Sequence, residues 1–405
     1  MPIVKPFKAL RPKPELAKEV SCLPYDVMNT EEARDMAATA NSFLHIIRSE
    51  IDYPDTIDQH SDQVYEKALQ NLNTFISKGI LVKDEQDCFY IYRQTMHGRV
   101  QTGLVALCDT NDYISGKIKK HENTLPEKEL DRMNHFTVCK AQTEPVFFIH
   151  KFSEKMNEIY QKYIKKEAVF SFIGDDGIGN ELWTVTEEND IHNIINIMST
   201  QEAFYIADGH HRTASAAKVG KQVNPNDDIM SVIFSEESLY IMDYNRLLHD
   251  TGDLSPEQFL TKISDFFEIQ KIGKTPCKPV KKHEFAMYLD NSWFLLTAKD
   301  FSVDEDDPTE SLDASILQNN LFDKILGIED PRTSKRLSFA GGIRGYEYLK
   351  QQVDEGNAAA AFGLFPVSVA DLLKVADNNS IMPPKSTWFE PKLRSGLFIY
   401  CYQQS

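Results

Sequence analysis

The stretch Ala203-Phe204-Tyr205-Ile206-Ala207-Asp208-Gly209-His210-His211-Arg212-Thr213 decides how this chain is read. Ala203 to Ala207 is a short, uninterrupted apolar run of the kind a fully buried strand carries. Gly209 permits a sharp turn and a close backbone approach. Thr213 to Val219 is small and helix-compatible, with Gly220 as its stop. The expected unit is therefore strand, tight turn, helix. A helix start offers unpaired N–H groups and the positive end of a dipole, and two histidines and an arginine there add donors suited to phosphate oxygens. Asp208 would repel a bare phosphate. It fits if a divalent cation bridges it or if it acts on an attacking hydroxyl. Two plainer arrangements compete: an N-cap aspartate with surface histidines, and a zinc site from His210, His211 and a distant ligand. Adjacent histidines point apart, which makes zinc the weakest of the three.

Outward from this run, the other common nucleotide cradles fail. Gly273-Lys274-Thr275 has the tail of a P-loop, but its first glycine would fall at Glu268. Gly177-Ile178-Gly179 lacks a third glycine at the required offset. A second constellation is Lys120-His121-Glu122-Asn123-Thr124 followed by Arg132. A carboxylate beside His and Lys suits a general base; the bland reading is a helix cap ahead of Pro126. Three irregular basic runs close the chain: Arg332 to Arg336, Gly341 to Gly345, and Met382 to Lys392. Either these are solvated surface or they are anion-binding loops.

The expected class is mixed α/β, in three segments. Residues 1–150 carry a helix from Glu31 to Ala40, a helical Tyr65–Ser77 stopped by Gly79, and strands at Phe89–Tyr92 and Val100–Leu107 joined by a turn at Met96-His97-Gly98. Residues 151–250 hold the Asp208 turn, with a linker expected over Asp243–Asp253. Residues 251–405 begin with a helix at Pro256–Phe267 and hold the basic loops.

Lys plus Arg number 44 against 61 Asp plus Glu, a net charge of −17. That balance argues against a nucleic-acid binder, since phosphate backbones are held by clustered cations. No run reads as a signal peptide or membrane span, and the six scattered cysteines include no CxxC pair. These features predict a cytoplasmic protein with reduced thiols.

The ordered set Pro24-Tyr25-Asp26-Val27, Phe43-Leu44-His45 with Arg48 and Glu50, Tyr92-Arg93-Gln94, Gly98-Arg99, His121-Glu122, Asp208 to Arg212 and Pro383 to Gly396 resembles a widespread bacterial and archaeal family over nearly the whole chain. Its Asp-Gly-His-His-Arg turn is similar to the ParB/sulfiredoxin-like fold and to the free serine kinases built on it. The resemblance implies a kinase that transfers a phosphoryl group to free L-serine, with pyrophosphate rather than ADP as donor, Mg2+ as ion and no organic cofactor. It implies Glu122 as base and Asp208, Gly209, His210, His211 and Arg212 as the phosphate turn, with Asp208 also touching the metal. His121, Ser386 and Thr387 become candidates for the acceptor, and Lys385, Arg336, Arg344 and Lys392 for the leaving phosphate. The N-terminal motifs have no counterpart in the short archaeal kinases. A ParB-like nucleotide-binding regulatory module is the alternative, disfavoured by the acidic balance. No nucleic-acid or membrane partner is expected.

Overall fold

The computed structural model describes residues 1–223, 226 and 228–402. The chain divides into one unit of Met1–Leu239 with Pro391–Ser405 and a second of Tyr240–Glu390. These bounds differ from the three expected segments, because strands from both sides of residue 150 hydrogen-bond into one sheet.

Among the described residues, the first unit is built on a nine-stranded mixed sheet. Its strands are β1 (Val4–Lys5), β2 (Phe89–Met96), β3 (Arg99–Asp109), β4 (Ile118–Lys119), β5 (Val146–His150), β6 (Phe170–Ile173), β7 (Gly179–Val185), β8 (Phe204–Asp208) and β9 (Asp228–Ser235). The order is β4-β8-β5-β9-β3-β2-β7-β6, with β1 beside β3. β8 runs parallel to β4 and antiparallel to β5, while β9 runs parallel to β5. The β2–β3 hairpin falls where the sequence places it. Its His97-Gly98 loop has φ of 50° and 79°, the positive pair that lets a two-residue loop follow the strand twist. β5 and β9 are buried almost throughout, which explains their near-continuous apolar sequences. Phe89, Leu104, Phe148, Trp183, Phe204 and Ile233 meet in the core.

Three helices matter for the site: α1 (Asp62–Ser77), α2 (Pro126–Cys139) and α3 (His210–Val223). Gly220 leaves helical backbone at φ 34°, ψ −135°, so the expected stop survives as a break inside α3. The helix expected over Glu31–Ala40 is shorter, Thr30–Met36, closed at its start by a reciprocal Asn29–Glu32 cap.

The second unit carries an antiparallel six-stranded sheet. Its strands are β10 (Tyr244–Leu248), β11 (Phe267–Gly273), β12 (Glu284–Leu289), β13 (Ser292–Ala298), β14 (Leu337–Gly341) and β15 (Ala360–Leu364), ordered β11-β13-β12-β15-β10-β14. The expected Asp243–Asp253 linker is thus corrected: its first half, Tyr244–Leu248, is strand β10, flanked by β14 and β15. Asn245 and Arg246 disguise it in sequence. The Asn245 side chain accepts from Leu364 N–H at 3.1 Å, and Arg246 donates to the Lys385 carbonyl at 3.0 Å and lies over Phe339. The helix expected to reach Phe267 ends at Ile263, and Phe267 opens β11. All six cysteines are free thiols. Among the described residues no helix is long and apolar enough to cross a membrane.

Candidate functional site

β8 ends at Asp208, Gly209 makes the turn, and α3 starts at His210. Gly209 has φ +88°, and a Cβ there would meet Val146 at 3.2 Å and the Arg212 guanidinium at 3.3 Å. Both facts demand glycine. The Asp208 carboxylate accepts from Gly209 N–H at 2.8 Å and from Lys392 Nζ at 3.0 Å. Burial works to raise its pKa, but Lys392 and Arg212 outweigh burial and hold the carboxyl well below the usual range. Lys392 is delivered by the C-terminal return, which is fastened by Gln94 on the Lys392 carbonyl and by backbone bonds pairing Cys22 with Ser395 and Leu10 with Ile399.

The first-turn histidines are not equivalent. His210 is buried and packs edge-on against buried His121, ring centroids 4.5 Å apart. Burial, reinforced by the neighbouring ring, pushes the His121 pKa down to about 3. Burial likewise lowers His210 to about 3, so both imidazoles are neutral. His210 Nε2 has no hydrogen-bond partner. Half-buried Glu122 joins them, and one donor atom from each of His121, Glu122 and His210 lies within 4.8 Å of the others. His211 does different work: its Nε2 accepts from Leu125 N–H at 3.1 Å, which places the ring proton on Nδ1 and ties the loop carrying Glu122 to the turn. α2 is pinned to α3 by Ser215 Oγ on the Glu129 carbonyl and by Lys218 on the Glu129 carboxylate, which also accepts from Thr124 in the preceding loop. Helix α2 is entered from Leu125 with no side-chain cap, so the capping reading of the His-Glu run falls away.

Beneath the turn lies a buried set of charges. Arg212 is 3% exposed and donates to the Pro145 carbonyl at 2.7 Å. It therefore sits under the turn as a fixed cation, not as an open fork. Glu144, 1% exposed, accepts from Tyr25 N–H and Ser395 Oγ and lies 3.5 Å from Arg132. Arg132 pairs with Asp131 and stacks over Tyr25 at 4.0 Å. Asp208, Glu144 and Asp131 balance Lys392, Arg212 and Arg132. Burial lowers His211 as it does His210, and exposed Lys120 and Lys128 add positive charge that lowers His210 and His211 a little further, respectively. A cleft of about 330 Å³ is lined in part by Tyr25, Arg48, Glu50, Lys128, Asp131 and Arg132. A roomier one of about 470 Å³, beside Lys18, Thr39 and Arg394, holds none of the turn residues.

The sequence candidates thus separate. His121, Glu122, Asp208, Gly209, His210, His211, Arg212 and Lys392 converge in the first unit. Lys385, Arg336, Arg344, Ser386 and Thr387 belong to the second. There Arg336 pairs with Asp250, Arg344 lies over Tyr348, Lys385 Nζ stands 5.6 Å from the Tyr244 ring, and Ser386 Oγ donates to the Pro383 carbonyl. Glu144 was missed by sequence reasoning; only the apolar run after it, from Val146, hints that the carboxylate enters a buried strand. Among the described residues, the implied Mg2+ finds no built cage. Mg2+ takes oxygen donors, whereas Asp208 is already met by Lys392, and two of the three donors at His121, Glu122 and His210 are nitrogens.

A mixed α/β unit with a strand–turn–helix site of neutral histidines, paired carboxylates and a buried cation is the class these observations define. The chain belongs to the family described as Protein of unknown function (DUF1015), whose model matches residues 4–315. No curated protein matches it. It is similar to a conserved hypothetical protein from Pyrococcus furiosus (13% identity, TM-score 0.37, covering 73% of this chain and 95% of that one). It is also similar to a free serine kinase in complex with AMP (11%, TM-score 0.37, 72% and 92%) and to SbnI with C-terminal truncation from Staphylococcus aureus (10%, TM-score 0.39, 73% and 87%).

Proposed function

We propose that this protein is a phosphotransferase that moves a phosphoryl group from pyrophosphate to the hydroxyl of free L-serine, giving O-phosphoserine and phosphate, on a ParB/sulfiredoxin-like core. The observation that carries the reading is the convergence of the His121-Glu122 pair on the Asp208–Arg212 turn, two motifs far apart in sequence. Phosphoryl transfer is mostly positioning and charge neutralisation, and it needs a carboxylate to receive the hydroxyl proton. Glu122, the carboxylate beside two neutral imidazoles, takes that proton as the serine oxygen bonds to phosphorus and the bond to the leaving phosphate breaks. The start of α3 presents its N–H groups to the transferred phosphoryl. Asp208 holds Lys392 at the turn, and His211 keeps the Glu122 loop in place.

The charge count supports a donor that brings its own cation. Fixed charges around the turn cancel, so a polyanion must arrive with Mg2+, as magnesium pyrophosphate, and meet Lys120 and Lys128. The acceptor is assigned to the cleft of about 330 Å³. There Arg48 and Arg132 suit an α-carboxylate, and Glu50 and Asp131 suit an ammonium group. The test is phosphate release from magnesium pyrophosphate, with and without L-serine. Serine-dependent release is expected. Equal release without serine, or turnover with ATP or ADP only, would refute the acceptor or the donor respectively.

A further inference from the structure

We propose that His121, Glu122 and His210 form a binding site for one divalent transition-metal ion, Zn2+ above all, whose occupancy withdraws Glu122 from the reaction. Neighbouring residues on a straight strand point to opposite faces. The chain bends after β4, however, and this bend brings His121 and Glu122 to the same place as the first residue of α3. His210 is 6% exposed, and its Nε2 is aimed at no protein acceptor or donor. A buried polar atom left without a partner is costly and calls for an explanation. The neutral imidazole is a common metal ligand, and both rings lie buried beside one another. Two imidazoles and one carboxylate suit the borderline ions Mn2+ to Zn2+ and not Mg2+. Bonds of about 2.1 Å place tetrahedral donors roughly 3.4 Å apart. The three donor atoms lie within 4.8 Å of one another, so they need to close by no more than about 1.4 Å to reach that spacing. The half-exposed edge at Glu122 is the entry path.

Metal binding stands apart from the proposed kinase activity; only its inhibitory consequence rests on that reading. A carboxylate that donates its lone pair to Zn2+ cannot also take the serine proton. The experiment uses the full chain, freed of metal by a chelator and titrated with Co2+. We expect a visible absorption band that saturates at one equivalent, is erased by Zn2+ and is unaffected by excess Mg2+. His210→Gln and Glu122→Gln should each weaken Co2+ binding roughly tenfold or more. Glu122→Gln serves as the second variant because this side chain is not part of the core. In the assay with pyrophosphate and L-serine, Zn2+ should inhibit in step with occupancy. Wild-type protein with no saturable Co2+ site, or one unchanged in folded Glu122→Gln, would overturn the metal site. A site present in a protein that makes no phosphoserine would leave the metal proposal standing and refute the kinase.

Discussion

The Asp208 turn and the basic loops of the second unit read alike in sequence, since both set cations in irregular backbone, but their surroundings differ. Around the turn, Arg212, Arg132, Glu144 and Asp131 are buried and mutually balanced, and His210 keeps a nitrogen without a partner. In the second unit Arg336 is tied to Asp250, and Arg344 stands exposed over Tyr348. A run of basic residues is thus weak evidence for an anion site. Buried charge that is paired but incompletely hydrogen-bonded is stronger evidence, because such groups are expensive without a ligand.

The sharpest break in this comparison comes from Glu122→Gln. It should leave the melting temperature unchanged and lower turnover by roughly 10²–10⁴-fold, the usual cost of losing a general base. Steady-state assays beside a thermal melt will show whether the loss is chemical. Asp208→Asn comes next. It removes the carboxylate from the half-buried pair with Lys392 and should cost about 1.5–3 kcal/mol, as the loss of a charged hydrogen bond does. Adding Lys392→Met should return part of that loss, read by denaturant unfolding of both variants. The sign with pH follows from the lowered carboxyl of Asp208. Its contribution is complete above the ordinary carboxylate range and disappears as pH falls through the folded value.

The local fold around this turn is legible in the sequence alone. The hairpin Phe89–Asp109 and the strand–turn–helix at Asp208 are local patterns, fixed by apolar runs and turn residues. What stayed hidden depends on distant partners. Asn245 and Arg246 look like linker residues because the groups that tie them into the sheet unit lie 119 and 139 residues away, beside local partners at Asp243 and Tyr244. Glu144 looks like an ordinary surface carboxylate until Tyr25, Arg132 and Ser395 close over it. The meeting of His121 with His210 needs the parallel pairing of β4 with β8, which no local pattern encodes.

Two smaller effects sharpen the contrast from the second unit's side. Burial raises the Asp313 carboxyl to about 7, although the His283 N–H bond opposes this. Its folded pKa lies above the unfolded value, so its stabilisation is full in acid and is lost as pH rises through about 7, opposite in sign to Asp208. Asp313→Asn should remove a slope on the order of 1–3 kcal/mol between pH 4 and pH 8, measured by melting across that range. Smallest of all, Arg344→Ala should shift stability by less than about 0.5 kcal/mol and leave turnover unchanged. A large loss of activity there would return the basic loops to the site.

The central claim is that the Glu122 carboxylate and the Asp208 turn together pass a phosphoryl group to serine. Phosphorus NMR of wild type and Glu122→Gln, each with magnesium pyrophosphate and L-serine, tests it most directly. The account predicts an O-phosphoserine resonance that grows with wild type and is absent over the same time with the folded variant. No phosphoserine from wild type, or equal formation by both proteins, would contradict it.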